Sequence, residues 1–354
     1  MIILISFLVG IFILWKLIIY FANWVSGYNE FSNDNQECKL DFGLSVENQQ
    51  ENIPIPTKKY IYRPQNLTEY IGQEKAKQKV KLNLQKICTL RPIHILIYGK
   101  KGCGKTSLSY IIAKELKAKV IERISSSIST KEDVYKLIEE INKEKKDYVV
   151  LFIDEIHNFA SLPEIAELFY PIMEDFQLDG KPIRPFTLIG ATTEINMLVS
   201  KLSPLVDRFQ VIPLENYTVN EIVLILKQFH KQLYSDREMK ENVFQMIAMN
   251  CKYTPRIAIN LLEDYLVDGN IERILDYNRI IKDGLTDIDF KILETLSENE
   301  KPLGEKALSQ VAGLNNNDYR EVYEPYLCEQ GYIIRTARGR TISQKGKELL
   351  KEIK

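Results

Sequence analysis

The sequence predicts an α/β fold: a parallel sheet with helices on both faces, then an all-α segment, then a small helix-and-hairpin module. Three observations carry this. The apolar run His94–Tyr98 feeds a glycine-rich turn, Gly99-Lys-Lys-Gly-Cys-Gly-Lys-Thr106, and a helix opening at Ser107. A second run, Tyr148–Ile153, is continuously apolar and ends in Asp154-Glu155, as expected of a strand buried on both faces. Near the C-terminus, three short helical patterns between Asp287 and Gln330, punctuated by Gly304 and Gly313, precede the basic hairpin Tyr332–Ile342. That order suggests a winged helix.

The turn Gly99–Thr106 has the spacing of a phosphate-binding loop, and its strand–turn–helix setting is the one that chemistry needs. Backbone N–H groups of Gly102, Cys103 and Gly104 can wrap a phosphate because little side chain blocks the approach. Lys105 reaches the terminal phosphates, Thr106 is placed to hold Mg²⁺, and Ser107 follows in the first helical turn. Open α/β sheets bind ligands beyond the C-terminal ends of their strands, where Asp154 and Glu155 fall. Asp154 suits the Mg²⁺ water shell and Glu155 can polarise an attacking water. Together they predict hydrolysis of a nucleoside triphosphate.

Other elements follow in order. Ala76, Val80, Leu84 and Ile87 share one face of a helix over 75–90. A loop over 125–130 leads to a helix over 131–142. Phe186–Thr193 and Arg208–Leu214 read as strands, and 219–268 is helical throughout. Gly269–Gly284 reads as a helix and a join.

With 354 residues the chain exceeds one compact core, and a net charge of −1 does not advertise nucleic acid. Charge is uneven, however: Gly331–Lys354 holds seven basic and two acidic residues. Ser26–Pro56 holds six acidic residues and only Lys39, the composition of a flexible linker. Five scattered cysteines and three distant histidines give neither a disulfide framework nor a metal-ligand spacing. Residues 1–25 are almost wholly apolar, long enough for a membrane span, and carry interface-type Trp15, Tyr20 and Trp24. Lys16 opposes this at about 2.5–3.5 kcal/mol, which the surrounding Ile, Leu and Phe can offset. A basic n-region and a small-residue cleavage site, the marks of a signal peptide, are missing. The expectation is a single-pass anchor in the cytoplasmic membrane with the body of the chain in the cytoplasm. The resulting division is 1–25 span, 26–57 linker, 58–214 nucleotide domain, 215–280 helical lid and 281–354 winged helix.

Several phrases are more specific than the phosphate loop. They are Arg63-Pro-Gln-Asn-Leu-Thr-Glu-Tyr-Ile-Gly-Gln73, Leu151–His157, Tyr170-Pro-Ile-Met-Glu-Asp-Phe-Gln-Leu178 and Phe186–Thr193. Ser203-Pro-Leu-Val-Asp-Arg-Phe209, Thr254-Pro-Arg-Ile-Ala258, Tyr323–Ile333 and Arg338-Gly-Arg340 continue the pattern. On these residues the chain, from about Tyr60 to its end, resembles the RuvB family of AAA+ ATPases, bacterial Holliday-junction branch-migration motors. The resemblance implies ATP and Mg²⁺ as cofactors and a hexameric ring acting on double-stranded or branched DNA. Tyr70 and Ile71 would line the adenine pocket, Thr193 would sense the γ-phosphate, and Arg256 would be the lid arginine. Arg208 would be an arginine finger reaching the neighbouring subunit's nucleotide. A surface salt bridge, worth about 0–1 kcal/mol, is the alternative for either arginine. Arg335, Arg338 and Arg340 would meet DNA phosphates, against a plain solvated hairpin.

The chain also departs from the family. Lys100 and Lys101 stand where prolines are usual, Glu194 follows the sensor threonine in place of arginine, and the stretch from Thr193 to Arg208 is longer. The hairpin by which the family grips its junction-binding partner RuvA is reduced to Asp179-Gly-Lys-Pro-Ile-Arg-Pro185, which makes that contact doubtful. The short hairpin and the anchor leave open a membrane-anchored AAA+ switch or clamp-loader-like module acting on protein partners. A non-enzymatic DNA-binding tether is opposed by the intact acid pair.

Overall fold

The structure, a computed structural model, describes residues 62–353. The expected span over 1–25 and linker over 26–57 lie outside the described residues. Among the described residues no helix is long and apolar enough to cross a membrane.

Helix α1 (Glu74–Thr89) leads to β1 (His94–Tyr98), the glycine-rich turn and α2 (Lys105–Glu115). Next come β2 (Lys119–Ile124), α3 (Lys131–Lys143), β3 (Val149–Asp154) and α4 (Pro163–Glu174). A small hairpin, β4 (Gln177–Leu178) and β5 (Lys181–Pro182), precedes β6 (Thr187–Thr192). Two short helices, α5 (Ile195–Lys201) and α6 (Ser203–Val206), lead to β7 (Phe209–Pro213). The five long strands form one sheet in the order β2-β3-β6-β1-β7, every neighbouring pair parallel. Strand β6 therefore separates the phosphate-loop strand from the acid strand, with Ile189 opposite both Ile95 and Phe152.

The continuous apolarity of β1 and β3 follows from two cores. Ile95, Ile97, Val150 and Phe152 face one layer with α1 and α2; Leu96, Leu151 and Ile153 face the other with α3 and α4. His94 sits at 4 % exposure, accepts the Leu188 N–H at Nδ1 and donates from Nε2 to the Met173 carbonyl. Burial lowers its pKa to about 4, so it is a neutral strut between β1, β6 and α4.

The lid comprises α7 (Val219–Leu233), α8 (Glu241–Met249), α9 (Pro255–Asp268) and α10 (Ile271–Tyr277). Thr218 and Glu221 form a reciprocal capping box that fixes the start of α7. The join after α10 is a small antiparallel hairpin, β8 (Ile280–Lys282) and β9 (Leu285–Thr286). The winged-helix module follows: α11 (Asp287–Glu298), α12 (Glu305–Ala312), α13 (Asn316–Asp318), a π turn (Tyr319–Tyr323) and α14 (Glu324–Glu329). The wing is β10 (Ile333–Thr336) and β11 (Gly339–Ile342), and α15 (Gln344–Ile353) closes a separate core over it. Leu303 exchanges backbone hydrogen bonds with Arg340, adding a third edge to the wing. Gly339 (φ 140°) permits this, since a Cβ there would lie 2.5 Å from the Leu303 carbonyl oxygen.

Candidate nucleotide site

The phosphate loop is shaped by what presses on it. Gly104 (φ 98°) has no room for a side chain, because a Cβ would lie 2.8 Å from the Tyr70 hydroxyl. At Gly102 (φ 80°) a Cβ would lie 2.9 Å from both Arg256 Cβ and Thr254 Cγ2. The loop is thus gripped by Tyr70 on one side and by the lid on the other. Tyr70 donates to the carbonyls of Cys103 (3.4 Å) and Gly104 (3.3 Å), and Tyr217 donates to that of Cys103 (3.2 Å). Burial raises both phenols, Tyr70 strongly and Tyr217 to about 12, so both stay protonated donors. Tyr70 is 3 % exposed and props the loop backbone, with Ile71 half-buried beside it.

Lys105 opens α2, which no side chain caps, so its first N–H groups are available to an anion. Its ammonium is folded onto the carbonyls of Gly99 (2.9 Å) and Lys100 (3.1 Å). Thr106 and Ser107 lie half-buried in the same turn, and Gly99 closes β1.

Asp154 ends β3 and accepts the Glu155 N–H at 3.0 Å; burial pushes its carboxyl up. Glu155 adopts φ 49°, a left-handed conformation that costs a non-glycine residue roughly 1–2 kcal/mol and turns its carboxylate towards β6. Ser125, at the end of β2, donates to the Glu155 carbonyl at 2.7 Å and holds that turn. Thr193 Oγ1 then donates to the Glu155 carboxylate at 3.3 Å, and His157 Nδ1 lies 3.3 Å from the same oxygen. His157 Nδ1 is also 3.1 Å from Thr192 Oγ1, and its Nε2 is 3.9 Å from Glu194. The His157 hydrogen bond lowers the Glu155 pKa against opposing burial, helped by the Lys105 charge; Glu155 raises His157 in return. His157 and Ser125 were not singled out by sequence reasoning. The signal for His157 was its place two residues after Glu155; Ser125 gave none.

Arg256, in the first turn of α9, is exposed beside Gly102. Arg208 is elsewhere: it donates to Glu174 (2.5 Å) and to the Pro204 carbonyl (2.6 Å), and its guanidinium lies 4.9 Å from the Tyr170 ring centroid. None of these partners belongs to the phosphate loop or the acid pair.

The three wing arginines differ. Arg340 makes a bidentate pair with Glu324 (2.6 and 3.0 Å) and a further bond to Glu305 (3.1 Å). Arg335 donates to the same Glu324 at 2.7 Å. Glu324 is fully buried; desolvation would raise its pKa, but the bonds from Arg340 and Arg335 bring it below the ordinary carboxylate value. Two of the three guanidinium groups therefore hold the module together. Arg338 sits exposed at the hairpin tip, where its backbone N–H donates to the Thr336 hydroxyl.

A five-stranded parallel sheet with the acid strand one removed from the phosphate-loop strand, a helical lid and a winged helix define an AAA+ P-loop nucleoside triphosphatase. Residues 62–214 match the family described as Holliday junction DNA helicase RuvB P-loop domain, and residues 282–351 the RuvB C-terminal winged helix domain. The chain belongs to the RuvB family. It is 37 % identical over 307 residues to the Holliday junction branch migration complex subunit RuvB of Pseudothermotoga lettingae, covering 78 % of this chain and 86 % of that protein. The Mycoplasma genitalium protein of the same name is 34 % identical over 311 residues, covering 82 % and 98 %. Among solved structures, the Thermotoga maritima RuvB Holliday junction branch migration motor superposes with a TM-score of 0.70 at 35 % identity, covering 82 % of this chain and 98 % of that one. The Aeropyrum pernix ORC2 protein, 15 % identical with a TM-score of 0.52, shares the fold alone.

Proposed function

We propose that this protein is an ATP-driven DNA motor that works as a ring, moves double-stranded DNA and drives branch migration at Holliday junctions. The observation that carries the reading is the junction of Thr193 with Glu155 at 3.3 Å, just past the ends of the neighbouring strands β6 and β3. Lys105 and the N–H groups of Gly102, Cys103 and Gly104 bind the ATP phosphates, with Ser107 in the same helical turn. Tyr70 and Ile71 flank the base side. Glu155 takes a proton from water as its oxygen attacks the γ-phosphorus; the bond to the β-phosphate oxygen breaks and ADP leaves. Thr193 holds Glu155 in line with that water. The hydroxyl of Thr106 and the carboxylate of Asp154 are hard oxygen donors that fit Mg²⁺. That ion, when bound, neutralises charge on the phosphates. Among the described residues no group of three or more acidic, His or Cys side chains could hold a metal unaided, so the phosphates and water would complete its shell. Arg256 reads the nucleotide from the lid and Arg208 acts on a neighbouring subunit.

Residues 1–25 anchor the chain to the cytoplasmic membrane, with the motor in the cytoplasm; extraction by detergent but not by salt or alkali would support this, and release by salt would oppose it. The β4–β5 hairpin, only two residues per strand, favours a motor that does not dock RuvA in the family manner. The same hairpin favours the second reading, a switch that remodels protein partners. ATPase rates of the full-length chain without DNA, with linear duplex and with a four-way junction separate the two. DNA stimulation that vanishes in Glu155→Gln supports the motor; turnover indifferent to DNA supports the switch.

A further inference from the structure

We propose that Lys252 is a positioning residue for ATP binding: anchored in the winged-helix module, it sets the loop that places Arg256 over the phosphate loop. This rests on the nucleotide-binding reading above. The loop between α8 and α9 holds two successive non-glycine residues in the left-handed region, Lys252 (φ 50°) and Tyr253 (φ 56°). Such strain persists only where surrounding contacts over-determine it. Those contacts come from the winged helix and its lead-in. The Lys252 ammonium lies 2.7 Å from Asp289 Oδ2, with the two side chains 15 % and 0 % exposed. It also lies 5.5 and 5.1 Å from the ring centroids of Tyr323 and Tyr326. Asp289 Oδ2 already accepts the N–H and hydroxyl of Thr286, while its Oδ1 has no partner, so Lys252 supplies its counter-charge. Gly284, in the β8–β9 turn, packs so closely that a Cβ would lie 3.0 Å from the Lys252 backbone nitrogen.

On its other side the same loop meets the nucleotide site. Thr254 and Arg256 together leave Gly102 no room for a side chain. A rigid five-residue span, Lys252 to Arg256, thus joins a buried ion pair in the winged helix to the phosphate loop. Anything that shifts the winged helix pulls on Arg256, and a ligand under Arg256 pushes back by the same coupling.

The test uses the full-length chain and the paired variant Lys252→Met/Asp289→Asn, which removes both charges and so avoids stranding one in the core. The expected result is a KM for ATP raised about tenfold, with an unfolding temperature and a duplex-DNA Kd like those of the wild type. Lys252→Arg should keep the wild-type KM, which a role in packing alone would not require. Tyr253→Gly removes the strain and the ring contact with Tyr326, whose centroid lies 6.4 Å from that of Tyr253, and should raise the KM about threefold even if the paired variant fails to fold. A KM within about twofold of the wild type in every folded variant would overturn the proposal. A wild-type chain that hydrolyses ATP but ignores DNA would instead sink the motor reading, and the KM comparison would still decide the role of Lys252.

Discussion

At the scale of single residues, the site is organised around Glu155. Its left-handed backbone, held by Ser125, turns the carboxylate to Thr193 and His157. Replacing it by Gln keeps the shape and removes the carboxylate proposed as the base. Glu155→Gln should therefore bind ATP normally and lose about 10²–10⁴ in turnover, measurable by nucleotide binding beside phosphate release. The His157 pair makes a second prediction. The His157 pKa is raised by Glu155, so its contribution to stability is complete below about pH 6.5 and fades as pH climbs through the raised value. The Glu155 pKa is depressed, so its own contribution is present above about pH 4.5 and is lost only as pH falls through the lower value. The unfolding temperature of the wild type should thus drop, relative to His157→Asn, between slightly acid and alkaline pH. A difference between the two proteins that stays constant across that range would show that the pair adds nothing.

At the scale of elements, the wing is held from below by a buried carboxylate. Arg340 is 19 % exposed and doubly bonded to Glu324, so Arg340→Ala leaves that charge short of its main partner and should cost about 3 kcal/mol, seen as early unfolding of the winged helix. Arg338→Ala should leave stability within about 0.5 kcal/mol and weaken duplex binding, reducing the salt slope by about 1. Equal destabilisation by both would contradict the division of labour. Nothing in the sequence distinguished the three arginines, because the partner that separates them lies upstream in a helix and is buried only in three dimensions. Strands β1 and β3 were legible for the opposite reason: they serve two cores and read as unbroken apolar runs, with polar chemistry in the turns that follow. Edge strand β2 was not legible, because Lys119, Glu122 and Arg123 break its apolar pattern and only Ile121 is buried. The β8–β9 hairpin was not legible: strands of three and two residues are too short for a period to show, and the stretch reads as a join. The pair Lys252–Asp289 was silent too, since a lysine and an aspartate far apart in sequence look like two solvated charges until the fold buries them.

At the scale of the whole molecule, the proposed role of Arg208 reaches beyond one chain. Arg208 is engaged by Glu174, Pro204 and Tyr170, away from its own Lys105 and Glu155, and its buried Nε has no partner. An arginine that completes a neighbour's site would be stored in this way, on a surface salt bridge weak enough to be exchanged. Turnover should then rise with protein concentration, and Arg208→Ala alone should lose about 10³-fold or more in rate. The stricter test is to mix two inactive proteins. Subunits with Arg208→Ala keep Glu155, and subunits with Glu155→Gln keep Arg208. In a ring assembled at random from equal amounts, about a quarter of the interfaces place an intact Glu155 against an intact neighbouring Arg208. Those interfaces should hydrolyse ATP, so the mixture should recover activity that neither parent has. If Arg208 worked within its own chain, every subunit in the mixture would carry a defect, and no ratio of the two would restore turnover. Recovery that also needs DNA would tie the ring to the wing, because the interfaces would then assemble only around the duplex proposed to meet Arg338.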